Sequence, residues 1–206
     1  AGYIGSHTVR CLSQAGYEIW VYDNLSTGHR EAVADQRLIV GELADTEQLQ
    51  SVLGENKIAA VIHFAASALV GESVADPAKY YRNNVAATCS LLDAMRATGV
   101  NRIVFSSTTA TYGVPRQVPI PESEPQAPIN PYGFSKLVIE QMLRDYARAY
   151  GLRYAALRYF NAAGASPQGD LGEDHEPESH LIPIVLQVAA GRRKQLAIFG
   201  NDYPTP

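Results

Sequence analysis

AGYIGSHTVRCLSQAGYEIWVYD, residues 1–23, joins a glycine-rich turn, an amphipathic helix and an apolar strand that ends in an aspartate. Gly2 and Gly5 are three residues apart and lead into the helix, which the spacing of apolar residues predicts at residues 4–15. If a strand and one further glycine preceded residue 1, the stretch would be the second half of a GxxGxxG turn, where backbone amides and a helix N-terminus meet a pyrophosphate. A glycine-rich helix start without a ligand fits these two residues equally well.

Asp23 strengthens the dinucleotide interpretation because it ends the next strand, about 20 residues after the glycines, where a carboxylate binds a ribose diol. The same carboxylate would repel a 2′-phosphate, so the pattern favours NAD, with NADP as the minor alternative because Arg30 follows. Aspartates also end strands simply as turn residues. The glycine turn and Asp23 together therefore predict an NAD site more strongly than either does alone.

Short apolar runs alternate with helical patterns along the rest of the chain. The runs predict strands at 18–23, 37–43, 59–66, 102–107 and 153–160, and further helices at 45–54, 76–98 and 131–150. Apolar strands joined by helices predict an α/β fold, a Rossmann-like doubly wound parallel sheet over residues 1–160 whose first strand would precede residue 1. A looser pattern, with a helix at 180–191 and a strand at 196–200, predicts the beginning of a smaller lobe over residues 161–206.

Composition excludes several classes of function. A formal net charge of -4 with scattered arginines argues against a nucleic-acid partner. Cys11 and Cys89 lie far apart, and the histidines show no HxH or HExxH spacing, so the sequence predicts no disulfide and no metal site. The absence of a long apolar span and of a signal-peptide pattern predicts a cytoplasmic protein without a membrane partner.

NPYGFSK, residues 130–136, predicts a helix that begins with two reactive side chains. Asn130 suits the cap and Pro131 the first helical position. Tyr132 and Lys136 then lie one turn apart on one face, where the helix dipole and the ammonium would both lower the pKa of the phenol. A tyrosine and a lysine at this spacing can also occur by chance. The motif is supported by Thr108, which follows Ser106 and Ser107 at the carboxyl end of a strand. Ordinary turn chemistry is the alternative for that hydroxyl run.

These motifs together resemble the extended short-chain dehydrogenase/reductase family. The resemblance rests on the glycine turn, Asp23, HFAA (63–66), NNV (83–85), SST (106–108) and YGFSK (132–136). Longer stretches, including VYDNLSTGH (21–29) and ALRYFNAAGA (156–165), are similar to the UDP-sugar 4-epimerases of that family over essentially the whole chain. The resemblance implies a piece of a longer protein, because the first strand and the later part of the substrate lobe are missing from the sequence.

The resemblance implies roles for individual residues. Tyr132 would be the catalytic acid and base, Lys136 its electrostatic partner, and Thr108 the hydroxyl that holds the sugar. The implied NAD-binding residues are Gly2, Tyr3, Ile4, Gly5, Asp23, Asn24, Glu42, Leu43, Phe64, Ala65, Asn83, Tyr132, Lys136 and Tyr159. The implied UDP-sugar contacts are Thr108, Tyr132, Asn161, His180, Leu181, Ala197, Ile198 and Phe199.

The implied activity is the NAD-dependent interconversion of UDP-galactose and UDP-glucose, an isomerase reaction with transient oxidation at sugar C4 and return of the hydride to the opposite face. The resemblance also implies a homodimer formed through helices 76–98 and 131–150. Two alternatives stay open: a 4-epimerase of UDP-pentoses or UDP-N-acetylhexosamines, and, less favoured, a non-catalytic NAD-binding sensor of the same fold. Dehydration is disfavoured because no Asp-Glu pair follows Ser107.

Overall fold

Five parallel strands form two groups in the computed structural model, which describes residues 1–34, 36–198 and 200. One group pairs β1 (Trp20–Asp23) with β2 (Arg37–Val40). The other has the order β3 (Val61–His63), β4 (Arg102–Thr108), β5 (Arg153–Tyr159). Parallel pairing confirms the predicted α/β class, although β1, β2 and β3 are each shorter than predicted.

Helices connect the parallel strands, as the alternating pattern predicts. They are α1 (Tyr3–Gln14), α2 (Thr46–Glu55), α3 (Val70–Ala75), α4 (Pro77–Tyr80), a π-helical turn (Tyr81–Ala86), α5 (Ala87–Thr98), α6 (Pro131–Tyr150) and α7 (Leu181–Ala189). Short 3-10 turns occupy Arg30–Val33 and Thr109–Thr111. The helix predicted at 76–98 is therefore interrupted by a π-helical turn, and the six-residue α3 was not predicted.

Local sequence explains both ends of α6, the helix that carries the two reactive side chains. The Asn130 side chain accepts a hydrogen bond from the Gly133 amide at 2.8 Å, which confirms the predicted cap, and Pro131 occupies the first turn. The helix ends at Gly151, whose φ of 71° is the left-handed conformation that favours glycine. Position and orientation of the first turn are thus set by neighbouring residues in the sequence.

The main core lies between the three-stranded sheet and helices α2, α5 and α6. Leu92, Met95, Phe105, Ile139 and Leu143 are all at most 2% exposed there. Burial of side chains this large contributes about 2 kcal/mol each, so the core fixes α6 firmly against β4. No helix among the described residues has the length and apolar character needed to cross a membrane.

The segment after β5 differs from the prediction. Residues 196–198 and 200 of the predicted strand are not in a strand, and residue 199 lies outside the described residues. A strand needs a neighbouring strand to satisfy its backbone groups, and none pairs with this stretch in the described part of the chain. The predicted helix is present as α7, but it buries no residue, and Leu181 and Leu186 are 65% and 62% exposed.

Candidate active site

The N-terminus of α1 is open to an anionic ligand. Gly2 occupies the cap position, no side chain caps the helix, and no acidic residue lies in the first turn. A Cβ placed on Gly2 would have no neighbour within 4 Å, and one on Gly5 would meet only the Phe64 ring at 3.9 Å. Free amides at the positive end of a helix, bordered by glycines, form a suitable cradle for a pyrophosphate. The predicted residues Gly2, Gly5 and Phe64 are therefore brought together.

Asp23 lies at the carboxyl end of β1, as predicted. One of its carboxylate oxygens accepts from the Leu25 amide at 2.7 Å. The neighbouring Asn24 donates to the Glu42 carboxylate at 3.2 Å. The strand end thus presents three polar side chains, Asp23, Asn24 and Glu42, of the kind that bind ribose hydroxyls.

A cavity of about 390 Å³ continues from this strand end. Three predicted cofactor residues, Glu42, Leu43 and Asn83, line it. Lys79 and Arg82 also line it, and neither was among the predicted site residues. Both are on the helical stretch that carries the NNV motif, so their closeness to Asn83 in the sequence could have identified them as site residues. Asp76 shares the lining with these two cations, so the cavity presents charges of both signs beside apolar side chains, which suits the nucleoside end of a dinucleotide.

The second part of the site lies at the carboxyl end of β4. Thr108 is 7% exposed and lies opposite Tyr159 in the parallel register. Tyr132 enters from the first turn of α6, near enough to Thr108 for the threonine side chain to favour its phenolate. Lys136, one turn later and 2% exposed, donates to the Ser106 carbonyl at 2.8 Å. The structure therefore places Thr108, Tyr132, Lys136 and Tyr159 around the same strand end.

The protonation of the pair differs from the sequence-based expectation. Burial raises the pKa of Tyr132, and hydrogen bonding with Thr108 only partly opposes that change. Burial also lowers the pKa of Lys136 from 10.5 to about 7. The raised pKa of Tyr132 contradicts the prediction of a lowered one for the phenol, and desolvation by burial is its largest cause.

Buried polar groups support the two reactive side chains. The Asn84 side chain is fully buried, and it donates to the Ser135 hydroxyl at 3.1 Å and to the Ser67 carbonyl at 3.0 Å. It also accepts from the Ser67 amide at 2.9 Å. These bonds join α6 to the π-helical turn and to the loop after β3. Each buried hydrogen bond of this kind contributes about 1 kcal/mol, and an unpaired partner would cost more.

His63 lies beneath Lys136 and is held in the neutral form. Burial first, and the charge of Lys136 second, lower its pKa to about 3. Its Nε2 lies 2.9 Å from the Thr88 hydroxyl, which donates to the Asn84 carbonyl. A neutral imidazole bonded to Thr88 packs the site without adding a second base to it.

Glu140 is a supporting residue that the sequence analysis missed. It is 2% exposed and accepts from Ser107 at 2.5 Å, from Gln126 at 3.0 Å and from Arg158 at 2.8 and 3.0 Å. Burial would raise the pKa of Glu140, but the hydrogen bonds from Arg158, Ser107 and Gln126 outweigh it and hold the pKa below its usual value. Its position four residues after Lys136, on the same helix face, was the signal that could have identified it.

The predicted sugar-contacting residues of the later segment are exposed. They are Asn161, His180, Leu181, Ala197 and Ile198, and the remaining one, Phe199, lies outside the described residues. None of the five forms a hydrogen bond to Tyr132, Lys136 or Thr108 within the described part of the chain. The assignment of these residues to the UDP-sugar stays a prediction. So does the assignment of Tyr3, Ile4 and Ala65 to the cofactor.

Comparison with known proteins adds to this geometry. The NAD dependent epimerase/dehydratase family matches residues 1–205. A UDP-glucose 4-epimerase of Halalkalibacterium halodurans is 56% identical over 205 residues, which are 100% of this chain and 61% of that protein. The crystal structure of UDP-glucose 4-epimerase from Brucella ovis in complex with NAD is 58% identical with a TM-score of 0.97, covering 100% of this chain and 63% of that chain.

A more distant solved structure bears on substrate range. The UDP-Glc/GlcNAc 4-epimerase from Campylobacter jejuni is 43% identical with a TM-score of 0.84, covering 99% of this chain and 64% of that chain. The chain thus spans less than two thirds of the length of each of these relatives.

Proposed function

This chain belongs to the NAD dependent epimerase/dehydratase family, and from that premise we propose that the complete protein is a UDP-glucose 4-epimerase that interconverts UDP-galactose and UDP-glucose. The observation that carries the proposal is the arrangement of Thr108, Tyr132 and Lys136 at the carboxyl end of β4. Relatives that are more than half identical over the whole chain and bear that name support it.

NAD is the proposed cofactor, and residues 1–160 form its binding region. The open N-terminus of α1 would hold the pyrophosphate, Asp23 the ribose hydroxyls, and the cavity lined by Glu42, Leu43 and Asn83 the nucleoside. When bound, NAD supplies reversible two-electron oxidation at the sugar carbon. The remaining chemistry falls to the side chains of this chain.

Tyr132 is the proposed acid and base. Its phenolic oxygen takes the proton of the sugar 4-hydroxyl and later returns it, so the net reaction consumes no proton. Thr108 orients the sugar hydroxyl toward that oxygen, since its side chain lies near enough to Tyr132 to lower the pKa of the phenol. Lys136 favours the phenolate whenever it carries its proton, which a pKa of about 7 allows near neutral pH.

The UDP-sugar is proposed to extend over residues 161–206, where the exposed residues His180 and Leu181 lie at the start of α7. An extended substrate range is the second candidate, because the 43% identical relative from Campylobacter jejuni is named for both UDP-Glc and UDP-GlcNAc. A cytoplasmic location completes the proposal.

We also propose a homodimer. Exposed apolar side chains cluster on the helices predicted to pair and on α3 beside them: Tyr81 is 40% exposed and Phe134 of α6 is 46% exposed, and Val70 and Val74 of α3 are 46% and 64% exposed. Tyr81 and Phe134 pack edge to face at 6.4 Å, so the face is continuous across two helices. A second copy would bury this surface.

Turnover of UDP-galactose by the complete protein is the test. We expect wild type to form UDP-glucose without added reductant, and Tyr132→Phe to lose about 100-fold to 10,000-fold in kcat while it still binds NAD. Tyr146→Phe is the matched control, because Tyr146 is on the same helix and bonds Asp93 instead. Full activity of Tyr132→Phe would overturn the assignment of Tyr132, and NAD binding without turnover of any UDP-sugar would favour the sensor.

A further inference from the structure

Four potential metal ligands converge just before α7. Glu173, His175, Glu178 and His180 fall within eight residues, in the pattern ExHxxExH. One ligand atom from each lies within 4.8 Å of all the others. The sequence spacing matched no familiar metal motif, and the residues converge only because the loop folds back on itself.

Individual distances within the cluster fit a tetrahedral ion. His180 Nδ1 lies 2.8 Å from Glu173 Oε1 and 3.0 Å from Glu178 Oε1. His175 Nδ1 lies 3.5 Å from Glu173 Oε1 and 3.9 Å from Glu178 Oε2. Ligands about 2.1 Å from a tetrahedral ion are separated by about 3.4 Å, which these four distances bracket.

The Nδ1 atom of His175 is an independent observation that points to a ligand. It is shielded from solvent, and it has no hydrogen-bond partner in the described part of the chain. An unpaired buried polar nitrogen carries a cost, yet this one is directed at two carboxylates. The ring is held in that position by an edge-to-face contact with Tyr3, with centroids 6.4 Å apart.

The charge of the cluster is also unbalanced. The side chains of Glu173 and Glu178 are 12% and 9% exposed, and their ion-pair partners among the described residues are the two histidines. Glu178 Oε1 already accepts from the backbone amides of Ser179 and His180, both at 2.8 Å, so Glu173 depends most on the single N–H of the His180 ring, which faces both carboxylates. With neutral imidazoles the cluster carries two negative charges in little water, which a divalent cation would neutralise.

We propose that Glu173, His175, Glu178 and His180 bind one divalent transition-metal ion, with Zn²⁺ the best fit to two imidazole nitrogens and two carboxylate oxygens. Imidazole ligands disfavour Mg²⁺ and Ca²⁺, which select oxygen donors. Four protein ligands fill a tetrahedral site, so the ion has a structural role.

The ion would fix the segment between β5 and α7 against α1. Two other contacts already attach that segment: Tyr3 donates to the Gly164 carbonyl at 2.6 Å, and Arg10 forms two bonds with Asp170 at 2.7 and 2.8 Å. The ion adds a third attachment close to Leu181. One of the four ligands, His180, is also a proposed UDP-sugar contact, so the metal site is tested by metal affinity rather than by turnover.

Metal titration of the complete, untagged protein tests the site. The protein is cleared of metal with a chelator and titrated with Zn²⁺ in competition with a chromophoric chelator. We expect one ion per chain, and at least a tenfold loss of affinity in His175→Gln and in Glu173→Gln. His29→Gln is the matched control, since His29 lies beside Asp174 but outside the cluster, and its affinity should stay within twofold of wild type.

Co²⁺ in place of Zn²⁺ reports the geometry directly. A tetrahedral complex gives intense visible absorption, which we expect in wild type and in His29→Gln but not in His175→Gln. Thermal unfolding of the metal-free variants checks that they fold. Less than half an ion per chain, unchanged affinity in both ligand variants, or a weak octahedral Co²⁺ spectrum would each overturn the proposal.

Discussion

Lys136→Met should stabilise the folded protein at pH 7 and destabilise it at high pH. Lys136 is 2% exposed, and burial lowers its pKa from 10.5 to about 7 in the folded protein. Between those values the unfolded chain binds a proton that the folded chain lacks, so the wild-type protein gains stability with increasing pH. The gain has a slope of about 1.4 kcal/mol per pH unit.

Wild type is therefore roughly 4 kcal/mol less stable at pH 7 than above pH 10.5, and it regains this stability as the pH rises between those values. Lys136→Met removes this pH-dependent loss of stability. It also leaves the Ser106 carbonyl without its 2.8 Å donor, at a pH-independent cost of about 1–3 kcal/mol. We therefore expect the variant to be more stable than wild type at pH 7 and less stable above a crossing point between about pH 8 and pH 10.

Urea unfolding of the cofactor-free proteins at pH 6 to 10 measures this difference. Bound cofactor must be removed because it adds its own stabilisation to the folded state. Lys79→Met is the matched control: its side chain is 47% exposed, so it removes the same charge from the surface and shows how much of any difference comes from net charge alone. A difference between Lys136→Met and wild type that stays flat from pH 7 to pH 10 would refute the claim that burial neutralises Lys136.

Three further predictions concern the surroundings of the pair. Thr108→Val should raise the pKa of Tyr132 further, because the Thr108 side chain favours the phenolate. The alkaline rise of kcat should then shift to higher pH, and an unmoved profile would contradict this role. Glu140→Gln should cost about 3 kcal/mol at pH 7, since the Arg158 guanidinium loses its charged partner, and the deficit in urea unfolding should shrink as the pH falls through the lowered pKa of Glu140. Gly113→Ala should destabilise the protein more than Gly99→Ala. Both glycines have positive φ, 68° and 75°, but only at Gly113 would the Cβ lie 2.0 Å from a backbone carbonyl oxygen, that of Ala127. Equal losses of stability in the two variants would refute the steric argument.

Features encoded by neighbouring residues could be predicted from the sequence. The start of α6 follows from Asn130 and Pro131, and its end follows from Gly151. The position of Asp23 at a strand end follows from the apolar run before it. Each depends on a few adjacent residues, so no knowledge of the remaining fold was needed.

Features that depend on burial could not be predicted in the same way. The sequence places Tyr132 near Lys136, but the sign of the pKa change depends on how much water the fold removes, which no spacing reveals. The cluster at residues 173–180 was missed for a similar reason, because its loop brings together side chains whose order matches no regular element.

One face of α6 combines a titratable pair with a fixed charge. Tyr132, Lys136 and Glu140 are spaced four residues apart, so they lie along one side of the helix. Glu140 stays ionised because Arg158 and Ser107 bond it, and these two residues are direct partners in the β4–β5 register. The next pair in that register is Thr108 and Tyr159, at the site itself. Glu140 therefore fixes the strand ends one residue before the reactive groups, while burial brings the pKa of Lys136 to about 7. Without Arg158 and Ser107, Glu140 would lose the partners that hold its charge. Without burial, Lys136 would lose its lowered pKa.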